Sequence, residues 1–214
     1  TKQKTISFVV PASFCGEMSE MKVIHVRPIL VEGPTADDPA TPSVVGDAGA
    51  SVSGDAETGF VVKPSAGTAD VVVEIPNGVD AAKVRIEVAP TVTKVTPNGA
   101  AVRVVRNGAD ITDFLDIPAA VDGVVDLGAA TVKAAYANEP LDTTKNAVID
   151  LSSPANPSLT TAPTRAGLVY TLREGTTLDA LTDGDHTIGD GQPWTPEVTV
   201  RGGASGFYSI RVSK

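Results

Sequence analysis

Two histidines, one cysteine and one tryptophan stand among 214 residues, so only a few positions bear on the chemistry this chain can do. Nucleophilic catalysis requires a base within reach of the nucleophile, and His25 and His186 are the available imidazoles. His25 lies in an alternating stretch, residues 21–27, where Ile24 and Val26 point to the opposite side, which reads as a solvent-facing or edge position. His186 sits in a polar stretch with no accompanying motif. Ser205, in Gly-Gly-Ala-Ser-Gly, lacks the second glycine position of a nucleophile elbow. Gly202 and Gly203 read more simply as a bulge or turn before a last strand. No zinc-ligand spacing and no phosphate-cradling glycine loop occurs. The catalytic set is empty, and the expectation is a protein that is not an enzyme.

Asp183, Asp185 and Asp190, within Asp183-Gly-Asp-His-Thr-Ile-Gly-Asp190, make the best metal candidate. Calcium takes several carboxylate and carbonyl oxygens from a flexible loop. The EF-hand pattern is broken, with Ile188 where glycine is required and no bidentate Glu following. Asp and Gly are also good turn formers, so an acidic turn is the plainer reading and no other cofactor is expected. Trp194, between Pro193 and Pro196, is the candidate for stacking against a ligand such as a sugar. Tyr170 and Tyr208 fall within apolar strands and read as core. A lone Cys15 precludes an internal disulfide. It reads as a small buried hydrophobe, with an intersubunit disulfide as the alternative.

The elements that must position these residues are strands. Hydrophobic residues make up 42% of the chain, but aromatics only 4%, and Val, Ala, Ile and Thr carry the pattern. β-branched side chains suit a pleated, half-buried surface. Twenty glycines and sixteen prolines, scattered along the chain, punctuate it as many short strands with tight turns would. Expected strands fall at 5–10, 21–27, 59–63, 70–75, 83–88, 92–96, 101–105, 123–127, 131–136, 147–151, 166–173, 196–201 and 206–212, with a single helical turn at 113–117. Asn-Gly occurs at 77–78, 98–99 and 107–108. Asn-Gly accepts the two positive φ angles of a type I′ hairpin turn, so the last two predict a three-strand meander, with Pro97 disturbing its first turn.

Without intervening helical patterns the strands are expected to pair antiparallel. The fold class is all-β: an antiparallel β-sandwich, Ig-like or jelly-roll-like, with a smaller C-terminal β domain. Boundaries follow composition. Residues 1–31 hold N-terminal strands, and 32–58 form an extended Gly/Pro/Ala/Asp-rich segment. Residues 59–151 make the sandwich, and 152–214 the small C-terminal domain, marginal on its own and expected to pack on the first.

The C-terminal stretch carries a recognisable pattern. Ala166-Gly-Leu-Val-Tyr-Thr-Leu-Arg-Glu-Gly-Thr-Thr-Leu178, then Trp194-Thr-Pro, then Gly206-Phe-Tyr-Ser-Ile-Arg-Val-Ser-Lys214 resembles a short β module. Such modules close secreted surface proteins of Verrucomicrobia-like and Planctomycete-like bacteria. Ser209 stands where that module has Arg after its Tyr, and the loop here is longer. The resemblance implies a secreted or surface protein and supplies no catalytic residue; residues 1–150 resemble no family.

A formal charge of −9 and a pI near 4.6 disfavour binding to phosphate backbones and to anionic lipid. No apolar run of about 18 residues exists to span a membrane. The N-terminal Thr-Lys-Gln-Lys has no apolar signal core, which fits either a signal already removed or a trimmed initiator Met. The expected function is a structural subunit of an extracellular filament, sheath or surface layer, or of a virion as a phage decoration or tail protein. Its partners are copies of itself or other assembly subunits. Assembly is expected through strand addition, with Ile6, Phe8 and Val10 of an N-terminal donor strand facing a neighbour's core. The alternative is a glycan- or host-surface-binding module.

Overall fold

Valine-rich segments with period two dominate the architecture. The computed structural model describes residues 40–142, 144, 146–153, 156–199 and 206–214, all within one unit, Pro39–Lys214. The expected strands at 5–10 and 21–27, with His25 and Cys15, lie outside the described residues.

The chain runs through β1 (Ser43–Val44), β2 (Ser51–Asp55), β3 (Gly59–Lys63), β4 (Asp70–Glu74), β5 (Val84–Val88), β6 (Lys94–Thr96), β7 (Ala101–Arg106) and β8 (Ala109–Asp110). It continues through β9 (Leu115–Asp116), β10 (Val125–Asp126), β11 (Thr131–Val132), the one-turn helix α1 (Ala134–Ala137), β12 (Val148–Asp150) and β13 (Ser158–Thr160). It closes with β14 (Val169–Gly175), β15 (Thr182–Ile188) and β16 (Phe207–Ser213). The protein is all-β, as its composition requires.

Two larger sheets, ordered β2-β3-β5-β7-β8 and β1-β4-β6-β10, carry the main core. Alternation is clean where a strand is inward on one face only. Phe60 and Val62 of β3, Val71 and Val73 of β4, and Val84, Ile86 and Val88 of β5 are buried in one apolar cluster. Their neighbours Arg85 and Glu87 point outward, where Glu87 pairs with Lys63 at 2.9 Å and Arg85 at 3.0 Å. Leu168 and Tyr170, next to and within β14, are buried in the same cluster.

Many pairings are antiparallel, but β3 with β5, β5 with β7, and β4 with β6 run parallel, which the sequence reading did not anticipate. The cause is connectivity. From β3 to β7 the chain alternates between the two sheets, so each strand re-enters its own sheet in the same direction after a strand in the other. A parallel pair needs a crossover, and here a strand supplies it in place of a helix.

This corrects the expected meander. Asn107 (φ 50°) and Gly108 (φ 80°) close the hairpin β7–β8 with a two-residue loop, Arg106 facing Ala109. Asn98 (φ 48°) and Gly99 (φ 93°) adopt the same backbone but lead from β6 in one sheet to β7 in the other. Asn98 Nδ2 donates to the Val73 carbonyl at 2.7 Å and anchors that change of sheet.

Further differences follow the same logic. The polar segment 32–58, expected to be extended, contributes β1 and β2. Asp47 fastens it: its carboxylate accepts from the Ser65 amide at 2.7 Å, the Ser65 hydroxyl and the Thr68 hydroxyl. The stretch 182–188, expected to be a loop, is edge strand β15, formed by backbone pairing with β14. Pro196 to Thr199 form no strand, although Pro196 and Val198 are buried. The helical turn expected at 113–117 is a 3-10 turn at Thr112–Phe114. The stretch 131–136 divides into β11 and α1.

Candidate functional site

The acidic residues singled out from sequence share a strand and its exit but not a site. Asp183 and Asp185 lie on β15 and Asp190 just beyond it. Asp183 is held between two guanidinium groups, Arg211 at 2.6 Å and Arg173 at 3.4 Å, drawn from the other two strands of its sheet. Asp185 accepts the amides of His186 at 2.8 Å and Glu197 at 2.9 Å. Asp190 accepts the Gln192 amide at 2.9 Å in a turn. Among the described residues no three His, Cys, Asp or Glu side chains converge as metal ligands. His186 is exposed on β15, and Ser205 lies outside the described residues.

Trp194 is half-buried and packs against both apolar clusters: the main one and a smaller one of Leu159, Leu172 and Val198. Its backbone is tied to Thr161, whose amide donates to the Trp194 carbonyl and whose hydroxyl accepts the Trp194 amide, both at 2.9 Å. Ile6, Phe8 and Val10 lie outside the described residues.

Tertiary folding builds a polar cluster that sequence reading missed. Glu139, buried beside α1, receives a forked pair from Arg165, with Nε to Oε2 at 2.9 Å and Nη2 to Oε1 at 2.6 Å. The guanidinium lies 5.4 Å from the Tyr136 ring centroid, and that ring meets Phe114 edge-on at 5.0 Å. The hydrogen bonds from Arg165 to the Glu139 carboxylate hold the guanidinium still more firmly protonated. Burial pushes the Tyr170 phenol up, while its oxygen accepts the Arg165 amide at 2.7 Å.

Phe114, Glu139, Thr164 and Arg165 line an open cleft of about 570 Å³. With both Glu139 oxygens engaged by Arg165, the pair clamps the α1 region onto the approach to β14. Neither residue carries a sequence signal, because 26 positions separate them.

The remaining feature is an edge. β12 pairs with β13 on one side (Ile149 opposite Leu159) and ends its two-stranded sheet on the other. Val148, Ile149 and Leu151 are 55%, 55% and 62% exposed. Adjacent residues of a strand point to opposite faces, so β12 presents apolar side chains on both. Large apolar residues exposed singly, such as Val121 and Leu178, are ordinary; a contiguous set along an open strand is not.

No family model, curated protein or solved structure matches the chain.

Proposed function

We propose that this chain is a non-enzymatic structural subunit of a protein assembly, joined to its neighbours through β-strand edges. The exposed apolar edge at β12 carries the reading. Water-facing Val148, Ile149 and Leu151 gain about 25 cal/mol for each Å² of apolar surface a neighbour covers. Pairing along a strand edge adds main-chain hydrogen bonds with no demand on side-chain chemistry.

The N-terminal segment supplies a matching element in sequence. Ile6, Phe8 and Val10 alternate with polar Thr5, Ser7 and apolar Val9, and Lys2 and Lys4 precede them in a chain of net charge −9. A basic apolar strand is attracted to an acidic neighbour and adds to a sheet edge. The setting is an extracellular filament, sheath or surface layer, or a virion, and the resemblance of residues 166–214 to a secreted β module favours the surface. No helix among the described residues is long and apolar enough to cross a membrane.

Sedimentation and electron microscopy of the full chain and of a chain lacking residues 1–11 test the proposal. The full chain forms oligomers whose size rises with concentration, and the truncated chain forms fewer or shorter ones. Unchanged polymers after truncation refute N-terminal strand addition. A full chain that stays monomeric at every concentration refutes the assembly role.

A further inference from the structure

We infer that Asn107 is a site of spontaneous deamidation, that the fold shields Asn98 from the same reaction, and that the isoaspartyl product at 107 opens the hairpin β7–β8. The inference stands apart from the assembly reading.

Asn-Gly is reactive because glycine has no side chain to hinder its own nitrogen. The Gly108 nitrogen attacks the side-chain carbonyl carbon of Asn107, the new C–N bond closes a cyclic imide, and the bond to Nδ2 breaks. Nδ2 leaves as ammonia, taking up the proton that the Gly108 amide loses. Water then opens the ring at either carbonyl, leaving aspartate or isoaspartate; nothing is oxidised or reduced.

Asn98-Gly99 and Asn107-Gly108 are a matched pair. Both asparagines are exposed, with φ 48° and 50°, and their glycines have φ 93° and 80°. Asn77-Gly78 has positive φ at its glycine alone and falls outside the pair. The surroundings of the two differ. Asn98 Nδ2, the atom that must leave, donates to the Val73 carbonyl at 2.7 Å, and a Cβ on Gly99 would stand 3.0 Å from the Ala81 Cβ. Among the described residues none hydrogen-bonds the Asn107 side chain, and a Cβ on Gly108 would have nothing within 4 Å. Ring closure at 98 must break a hydrogen bond in a crowded place. At 107 it meets open space.

The two products act differently. Asp122-Gly123 already occupies the same kind of turn, with φ 49° and 78° between Val121 and Val124, so aspartate fits it. Isoaspartate routes the backbone through the side chain and adds a methylene. Turn geometry sets the register of a two-residue hairpin, so the longer loop cannot keep Arg106 opposite Ala109. Arg106 Nη1 donates to the Gly167 carbonyl at 2.9 Å, which ties this hairpin to the approach to β14.

Peptide mapping by mass spectrometry follows both sites in the full chain held in mildly alkaline buffer, folded and in urea. In the folded chain Asn107 is expected to convert roughly tenfold faster than Asn98, a gap that one hydrogen bond's worth of barrier supplies. In urea the two rates converge. Equal folded rates, a faster Asn98, an inert Asn107, or a gap that survives in urea overturns the inference. Hydrogen exchange at the Ile111 amide, which donates to the Val104 carbonyl at 2.9 Å, reads the hairpin. It is expected to quicken severalfold in chains carrying isoaspartate at 107 and to hold in freshly prepared Asn107→Asp. Equal protection in both overturns the opening of β7–β8.

Discussion

Asp47 shows how much a single side chain in a polar segment can do. It accepts from Gly49 within its own turn, and from Ser65 and Thr68 across the sheet. These bonds, led by that of the Ser65 hydroxyl, hold its carboxyl below the ordinary aspartate range. A depressed folded-state value contributes stability at and above the ordinary pKa, about 3.9, and that contribution is lost as pH falls through the folded value. The wild type should therefore lose stability on acidification more steeply than Asp47→Asn, which starts lower at neutral pH. Urea midpoints measured from neutral pH into the acid range check this; parallel curves would count against the staple. Its partners lie 18 and 21 residues away, beyond the reach of a local sequence pattern. The same limit applied to Asp183, Asp185 and Asp190, whose spacing suggested one site and whose partners are three different ones.

At the scale of elements, strand type was legible and strand partners were not. Period-two alternation marked β5, where Val84, Ile86 and Val88 are buried and Arg85 and Glu87 face out, while β3, β4 and β7 were legible as short Val-rich runs. Neither pattern carries information on direction, so the parallel pairs had no signature. Strands exposed on both faces, β2 and β15, lack alternation and read as loops. What holds β2 is backbone geometry. Gly54 sits opposite Phe60, and a Cβ there would stand 2.0 Å from the Gly59 carbonyl oxygen. Gly54→Ala must displace backbone and adopt positive φ, a cost of about 2 kcal/mol. Denaturant unfolding measures that loss, and hydrogen exchange should show it concentrated in the Ser51–Asp55 amides, with β14 protected as before.

For the molecule as a whole, the question is how the last strands join the rest. Tyr170 is buried in the main core, and Trp194 touches both that core and the Leu159–Leu172–Val198 cluster. Trp194→Ala therefore removes a bridge between the two clusters. A fully buried Trp→Ala costs roughly 3–5 kcal/mol; half-burial lowers the expectation to about 2 kcal/mol. Thermal unfolding should remain a single transition at lower temperature. Two separated transitions would mean that the clusters melt independently and that Trp194 does not couple them.

Sequence alone determined the class of this protein. β-branched residues at alternate positions, with glycine and proline between them, fold only by pairing strands, whatever the order of pairing. It also located the tight turn at Asn107-Gly108, because positive φ at both positions is a local property. Only the tertiary structure decided that Asn98-Gly99 leads between sheets, that Arg165 is spent on Glu139, and that Val148, Ile149 and Leu151 remain in water. Each of those outcomes depends on which distant segment arrives alongside, and that is fixed by the packing of the whole core.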